Sequence, residues 1–193
     1  MFDPSKKLLK LKLAPAGRHK RKGQKSKRPP QKRSKARPVE ANARLAAHGV
    51  LNDIVNKNMV TDVALTQSEM FAALESRDRA FARLLVTSCL RRFGQVQKVI
   101  DHCLSKPAEQ AVNLILHLGL VQLFFLNTSP HAATNTSVEL ARRLKHDRAT
   151  GLINAILRRA IREQDELLSL TSVTDNLPTP LKASWTEQYG PEQ

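Results

Sequence analysis

The chain has 193 residues, and 32 Lys and Arg against 17 Asp and Glu give a formal net charge of +15. Residues 1–38 hold 15 of those basic residues and one acid, Asp3, for a net charge of +14, which leaves about +1 for residues 39–193. No stretch reaches the roughly 18 continuous apolar residues of a membrane span, and Cys89 and Cys103 do not form a disulfide framework or a zinc-ligand pattern. These features exclude the membrane-spanning and disulfide-rich classes.

The first segment, residues 1–38, mixes lysine and arginine with proline, Gln and Ser. It has too little apolar surface to offset the entropy of ordering, so we predict that it is disordered when free. Dense positive charge attracts phosphate polymers, which indicates a nucleic-acid partner. A solubilising tail without a specific partner and an organelle transit peptide are the alternatives for this segment.

Helical periodicity begins at Val39. Apolar residues from Val39 to Ile54 recur at spacings of one, three and four, which predicts a helix that starts near Pro38. A shorter helix capped by Thr66 or Ser68 is expected next. Residues 76–104 continue the helical pattern, with Gly94 as a break.

The second half contains the most apolar segment. Residues 111–126 are apolar nearly all round, which predicts a helix at the centre of a bundle. Pro130 suits the first turn of the next helix, and residues 152–161 repeat the helical spacing. The expected fold class is therefore all-α, a bundle of about six or seven helices over residues 39–170. Residues 171–193, rich in Pro, Ser, Thr, Asp and Asn, predict a linker followed by the start of a truncated further subdomain.

Three stretches in this order resemble the bacterial NusB-like domains. They are Asp78–Ala80 with Leu90–Arg92, Pro130–Ala133 with Val138–Arg143, and Gly151–Arg159. The Pro-His-Ala-Ala form resembles most the RNA-binding domain that begins the RsmB (Sun/Fmu) family of 16S ribosomal RNA cytosine-5 methyltransferases. The resemblance implies a helical, bacterial, cytoplasmic RNA-binding domain.

The catalytic parts of that methyltransferase family are not found. The resemblance implies a Gly-rich loop for S-adenosylmethionine and two working cysteines, one after Pro and one after Thr. Neither Cys89 nor Cys103 follows such a residue, and both fall in predicted helices. We therefore expect no catalytic residue, no cofactor and no metal in this chain. The six histidines show no metal-ligand spacing, and His117 on the apolar helix is expected to be a hydrogen-bonded core residue.

The candidate RNA-binding residues are basic positions without neighbouring acids, to which the resemblance adds the first helix. They are Lys20, Arg21, Lys22, Lys25, Lys27, Arg28, Lys32, Arg33, Lys35, Arg37 and Arg44. Arg91–Arg92, Arg142–Arg143 and Arg158–Arg159 are predicted to be helix-surface pairs. Aromatic residues make up 4% of the chain and none interleaves with the basic run, so binding is expected to be mainly phosphate-directed.

Three functions remain open at this point. The first is a non-catalytic RNA-binding module related to ribosomal RNA methylation, with RNA and a methyltransferase domain as partners. The second is an adaptor in transcription antitermination, which regulates transcription by binding RNA with a ribosomal protein. The third is the incomplete product of an S-adenosylmethionine-dependent methyltransferase gene. No membrane partner is expected.

Overall fold

The computed structural model describes the backbone of residues 38–190 and the side chains of residues 43–190. Within that range every regular element is helical. The ten α-helices are α1 (Pro38–Lys57), α2 (Thr61–Gln67), α3 (Glu69–Ala72), α4 (Ser76–Arg91), α5 (Phe93–Cys103), α6 (Gln110–Phe124), α7 (Pro130–Arg143), α8 (Thr150–Arg162), α9 (Gln164–Ser169) and α10 (Thr179–Tyr189). Two short 3-10 helices, Asp147–Ala149 and Val173–Asn176, lie between them.

Helix α6 is the centre of the bundle. It contacts α1, α4, α5, α7 and α8, and residues 114–122 are all buried, including the polar residues His117 and Gln122. A helix that is surrounded by partners cannot keep a polar face, which explains its nearly continuous apolar sequence. The predicted central helix is therefore confirmed. Among the described residues, no helix is long and apolar enough to cross a membrane.

Gly119 marks the closest approach of α6 to its neighbours. A Cβ atom on this residue would lie 2.8 Å from Leu157 Cδ2 of α8 and 2.9 Å from Ser137 Oγ of α7. Because real Cβ atoms do not come that close, glycine allows the three helices to pack at this distance. The α6–α7–α8 layer thus depends on a missing side chain in the middle of the apolar helix.

Helix starts follow local chemistry. Ser129 precedes Pro130, the first residue of α7, and its hydroxyl accepts a hydrogen bond from the Ala132 N–H at 3.4 Å. Ser68 caps α3 in the same way, since its hydroxyl accepts from the Phe71 N–H at 3.2 Å. Both caps satisfy N–H groups that the first turn of a helix leaves without partners. The predictions at Pro130 and Ser68 are confirmed.

The all-helical fold class is confirmed, and the helices are more numerous than the periodicity suggests. Helices α3 and α9 have only four and six residues, too short to show a repeat of 3.6 residues. The break in residues 76–104 lies at Arg92, where α4 ends and α5 begins, and Gly94 is in the first turn of α5.

The segment after α9 is fixed to α5 by specific bonds. The Gln95 N–H donates to Asn176 Oδ1 at 3.0 Å, and the Asn176 amide donates back to Gln95 Oε1 at 2.9 Å. Gln95 also donates to the Thr171 hydroxyl at 3.3 Å. Residues 171–176 therefore form an ordered clasp on α5. The predicted domain boundary at residue 170 stays a prediction.

Gly94 makes this clasp possible. A Cβ atom at position 94 would lie 1.7 Å from the carbonyl oxygen of Asp175 and 2.5 Å from its carbonyl carbon. Those atoms belong to the backbone, so they cannot rotate away as the end of a side chain can. Every residue type other than glycine would force residues 172–176 away from α5.

Asp175 is the charged centre of the clasp. Its carboxylate contacts Lys98 Nζ at 3.1 Å and Lys182 Nζ at 3.3 Å, and it accepts from the Ser172 N–H at 2.8 Å. Burial alone would raise its pKa, but the Ser172 hydrogen bond and the two lysines hold the pKa of Asp175 below its ordinary value. The carboxylate thus links α5 to the start of α10.

Candidate nucleic-acid interface

Most of the predicted RNA-binding residues belong to the basic N-terminal arm, which we define as residues 1–37. Ten of the eleven are in this arm and lie outside the described residues. They are Lys20, Arg21, Lys22, Lys25, Lys27, Arg28, Lys32, Arg33, Lys35 and Arg37. Their assignment to RNA rests on charge alone and stays a prediction.

Arg44 is placed inside the bundle. The residue is only 4% exposed, its Nε donates to Gln122 Oε1 at 2.7 Å, and its guanidinium carbon lies 5.0 Å from the centre of the Phe81 ring. Gln122 in turn donates to the Leu118 carbonyl at 2.8 Å. A guanidinium in this position joins α1 to α4 and α6. Its burial gives no support to the expected contact with a phosphate at the surface.

Each of the three predicted surface pairs contains one arginine with a partner inside the domain. In every pair this is the second arginine. Arg92 donates to Gln95 Oε1 at 2.9 Å and lies over the Phe125 ring. Arg143 bonds Glu139 at 3.1 Å, and Arg159 bonds Glu163 at 2.6 Å. Arg92, Arg143 and Arg159 therefore make contacts within the domain.

The first arginine of each pair, Arg91, Arg142 or Arg158, is exposed. No guanidinium of these three has a hydrogen-bond or ion-pair partner among residues 43–190. Since exposed cations without local partners are the ones available to a polyanion, these three extend the candidate interface onto the folded domain.

A groove lined by both acidic and basic residues lies just after the C-terminal end of α7. It has a volume of about 420 Å³ and is lined by Glu109, Val112, Lys145, His146, Asp147, Arg148 and Ala149. His146 Nδ1 lies 3.4 Å from Glu109 Oε2, and Lys145 has a positive φ of 62°. Sequence patterns single out none of these residues. The only signal is a run of charge between two helical stretches, which is common in ordinary loops.

Two exposed arginines of α4 are used locally. Arg79 Nη2 donates to the carbonyl oxygens of Ala72 and Leu74, both at 2.7 Å, and so satisfies the end of α3. The Arg83 guanidinium lies 5.7 Å from the Phe71 ring centre. Helix α4 therefore stabilises the α3 turn with these side chains, and Arg91, at its C-terminal end, is one of its exposed arginines.

The cysteines do not have the properties of nucleophiles. Cys89 is fully buried and Cys103 is partly buried, and both are free thiols. Burial raises the pKa of both thiols, which disfavours the reactive thiolate. Cys89 packs inside the core, while Cys103 lies at the edge of the core. No group of three or more potential metal ligands occurs among the residues that the structure describes.

His117 is confirmed as a hydrogen-bonded core residue. It is completely buried, its ring stacks on Phe93 with centroids 4.2 Å apart, and its Nε2 lies 3.0 Å from Gln97 Oε1. Because Gln97 Oε1 can only accept, Nε2 carries the proton, and Nδ1 has no partner in the described structure. Burial lowers the pKa of His117 to about 4.

Residues 38–190 contain no β-sheet. The candidate site consists of exposed cations, and the buried polar groups Arg44 and His117 are not part of it. These features define an all-helical domain with exposed cations on its surface. The family profile of the NusB family matches residues 41–162, and the chain belongs to that family.

Two curated relatives carry the same name, ribosomal RNA small subunit methyltransferase B. The protein from Vibrio vulnificus is 32% identical over 147 residues, which cover 75% of this chain and 34% of the relative. The protein from Pseudomonas putida is 33% identical over 159 residues, which cover 77% of this chain and 36% of the relative. The chain thus spans about a third of the length of the curated relatives that it matches.

Two solved structures share the fold. One is a chain from the crystal structure of a plectonemic RNA supercoil, with a TM-score of 0.60 over 66% of this chain and 97% of that chain. The other is from the crystal structure of antitermination factors NusB and NusE in complex with dsRNA, with a TM-score of 0.57 over 69% of this chain and 98% of that one. Both are 19% identical to this chain, so they show a common fold.

Proposed function

We propose that this chain is a non-catalytic RNA-binding module that recognises ribosomal RNA, with a role related to cytosine-5 methylation of 16S ribosomal RNA. The basic arm, residues 1–37, captures the phosphate backbone. The helical domain orients the RNA through exposed cations, among them Arg91, Arg142 and Arg158.

The observation that carries this proposal is the separation of charge within a member of the NusB family. Residues 1–38 have a net charge of +14, and residues 39–193 have about +1. Cations that stabilise a fold are interspersed with acids, as Arg143 and Arg159 are. A run of cations without acids has no such partners within the run, and a polyanion is the partner that its charge favours.

A methyl-transfer role for this chain finds no support in its thiols. Both cysteines are disfavoured as thiolates, and the curated relatives of the same family extend to about three times the matched length. We propose that catalysis, where it accompanies this domain, is supplied by a methyltransferase domain acting beside it. In this proposal residues 1–193 bind the RNA and do not catalyse the methyl transfer.

The salt dependence of RNA affinity tests the proposal. If the arm and the exposed arginines neutralise about eight phosphates of a single strand, log affinity should fall with log salt at a slope of about −6. The measurement is fluorescence anisotropy of a labelled small-subunit ribosomal RNA fragment between low and moderate salt. A slope shallower than about −2 would contradict an electrostatic RNA-binding role.

The alternative is an antitermination-type adaptor that binds RNA together with a ribosomal protein. The shared fold with a NusB chain solved in complex with NusE and dsRNA favours it. A ribosomal-protein partner that increases affinity for a short leader RNA, with weak binding to small-subunit ribosomal RNA, would support the adaptor. Strong binding to ribosomal RNA without any partner supports the first proposal.

A further inference from the structure

Helix α10 presents an exposed aromatic face. Leu181, Trp185 and Tyr189 follow one another at intervals of four residues, which places them along one side of the helix. They are 40%, 51% and 60% exposed, although they are the largest apolar residues of α10. Trp185 and Tyr189 are the only tryptophan and the only tyrosine of the chain.

The two rings line a groove with polar walls. The groove has a volume of about 350 Å³ and is formed by Thr174, Leu177, Lys182, Trp185, Thr186, Tyr189 and Gly190. Residues that carry three hydroxyl groups, one ammonium group and two aromatic rings therefore line the same space. Thr186 also donates to the Lys182 carbonyl at 2.8 Å, so its oxygen stays available as an acceptor.

The floor of the groove is anchored to the bundle. Thr174 belongs to the clasp of residues 171–176, which is bonded to Gln95 and packs against Gly94. Lys182 is joined to the clasp through Asp175 at 3.3 Å and is still 45% exposed. A binding surface on an anchored element keeps its geometry better than one on a free terminus.

We propose that this groove binds an unstacked nucleobase of single-stranded RNA. This inference rests on the proposed RNA-binding function and adds a base contact to it. Trp185 and Tyr189 supply the stacking surfaces, since every base has a flat face that can lie on an aromatic ring. Lys182 supplies positive charge for the adjoining phosphate, and the threonine hydroxyls can bond a base edge or a ribose hydroxyl.

Charge favours RNA over an apolar protein surface as the occupant. The acid nearest to the rings in sequence, Glu187, is two residues from both, about 200° around the helix, so it points to the opposite side. The acid that pairs with Lys182 of the groove, Asp175, is shared with Lys98. Two ammonium groups therefore stand against one carboxylate beside the groove, a balance that favours an anionic occupant.

The single tryptophan gives a direct test with the whole chain. A single-stranded oligouridine, titrated at moderate salt, should quench the Trp185 fluorescence in parallel with binding measured by anisotropy of the labelled RNA. A duplex RNA of the same length should bind without quenching, because its bases are already stacked.

Substitutions separate the ring from the charge. Trp185→Leu keeps apolar bulk but removes the ring, and it should weaken single-strand binding about fivefold, the lower end of one stacking contact. Its salt slope and its duplex affinity should not change. Trp185→Phe should bind within about twofold of the original chain, and Leu84→Ala, an exposed apolar change on α4, is the matched control.

The outcomes are distinct. RNA binding without any change in Trp185 fluorescence, or equal binding by Trp185→Leu, overturns the stacking site and leaves the RNA-binding function standing. If the original chain binds neither single-stranded nor duplex RNA, both the stacking site and the RNA-binding function are overturned. Tryptophan fluorescence that depends on protein concentration, and not on RNA, would assign the face to a protein contact and overturn the stacking site.

Discussion

The arm, residues 1–37, and the helical domain after it use positive charge differently. In the domain, half of each predicted arginine pair is used internally: Arg92, Arg143 and Arg159 have bonds to Gln95, Glu139 and Glu163. In the arm fifteen basic residues are accompanied by a single acid, Asp3. The comparison shows that a count of cations alone does not identify candidate binding residues, because Arg92, Arg143 and Arg159 are bonded within the domain.

Removal of the arm charges is the change with the largest expected effect on RNA binding. We predict that changing the ten arm positions from Lys20 to Arg37 to Gln lowers RNA affinity about a thousandfold or more near 0.1 M salt, since each phosphate contact contributes about 0.7 to the salt slope. The matched domain variant, Arg91, Arg142 and Arg158→Gln, should lose about two units of slope. Anisotropy titrations measure both. Equal losses would remove the distinction between arm and domain.

Acid should destabilise the domain through His117. Its pKa in the folded state is about 4, below the value of 6.5 expected when unfolded. Between these values the unfolded chain binds a proton that the folded chain refuses, so the free energy of unfolding falls by about 3 kcal/mol from pH 7 to pH 4. Burial lowers the pKa of His48 as well, which acts in the same direction.

Urea unfolding at pH 7 and pH 4.5 measures this effect. His117→Gln keeps a donor for Gln97 and should show a smaller loss of stability with acid, even though it is less stable at pH 7. His102→Gln, a change at an exposed histidine, is the control variant. An unchanged pH dependence in His117→Gln would show that other groups cause the acid sensitivity.

Loss of Arg44 should affect stability and not the salt slope. Arg44→Met leaves Gln122 Oε1 buried without its donor and removes the contact with Phe81. We expect a loss of about 2 kcal/mol in the free energy of unfolding. The slope of RNA affinity with salt should stay the same, because a guanidinium that is 4% exposed neutralises no phosphate. If Arg44→Met instead reduced the salt slope by about 0.7, the value of one phosphate contact, and left stability unchanged, Arg44 would be an RNA-binding residue.

The smallest global effect is expected at Gly94. Gly94→Ala should displace residues 172–176 from α5, since the new Cβ collides with the Asp175 carbonyl. Alanine stabilises the helix itself by about 1 kcal/mol, so the overall unfolding free energy should change little. Hydrogen exchange should instead show faster exchange of the Gln95 N–H, which loses Asn176 as its acceptor. Unchanged exchange would mean that the clasp tolerates the side chain.

The residues that the sequence predicts correctly are those governed by local patterns. The apolar run at 111–126 identifies α6, and Ser129 with Pro130 identifies the start of α7. Such signals act within one or two turns of a helix. The burial of Arg44 depends on Gln122, 78 positions further along the chain, and no local pattern contains that partner.

Large separations along the sequence also limit what could be predicted of the candidate site. Residues 171–176 have the composition of a linker, yet their side chains bond Gln95, 76 to 81 positions away. Trp185 and Tyr189 show the helical spacing of an apolar stripe, and only the folded arrangement shows that nothing described covers them. The exposed member of each arginine pair likewise becomes visible only when the bonds of its neighbour are known.

The hydrogen atom that serves as the side chain of Gly94 has a consequence for protein engineering. Since the backbone of Asp175 rests against it, steric contact with α5 fixes the direction in which the polypeptide continues from the clasp towards residue 178. A reporter or enzyme grafted after that point would inherit a defined orientation without any added linker design. Gly94→Ala would remove this steric contact, and the orientation of the segment after residue 176 would no longer be fixed.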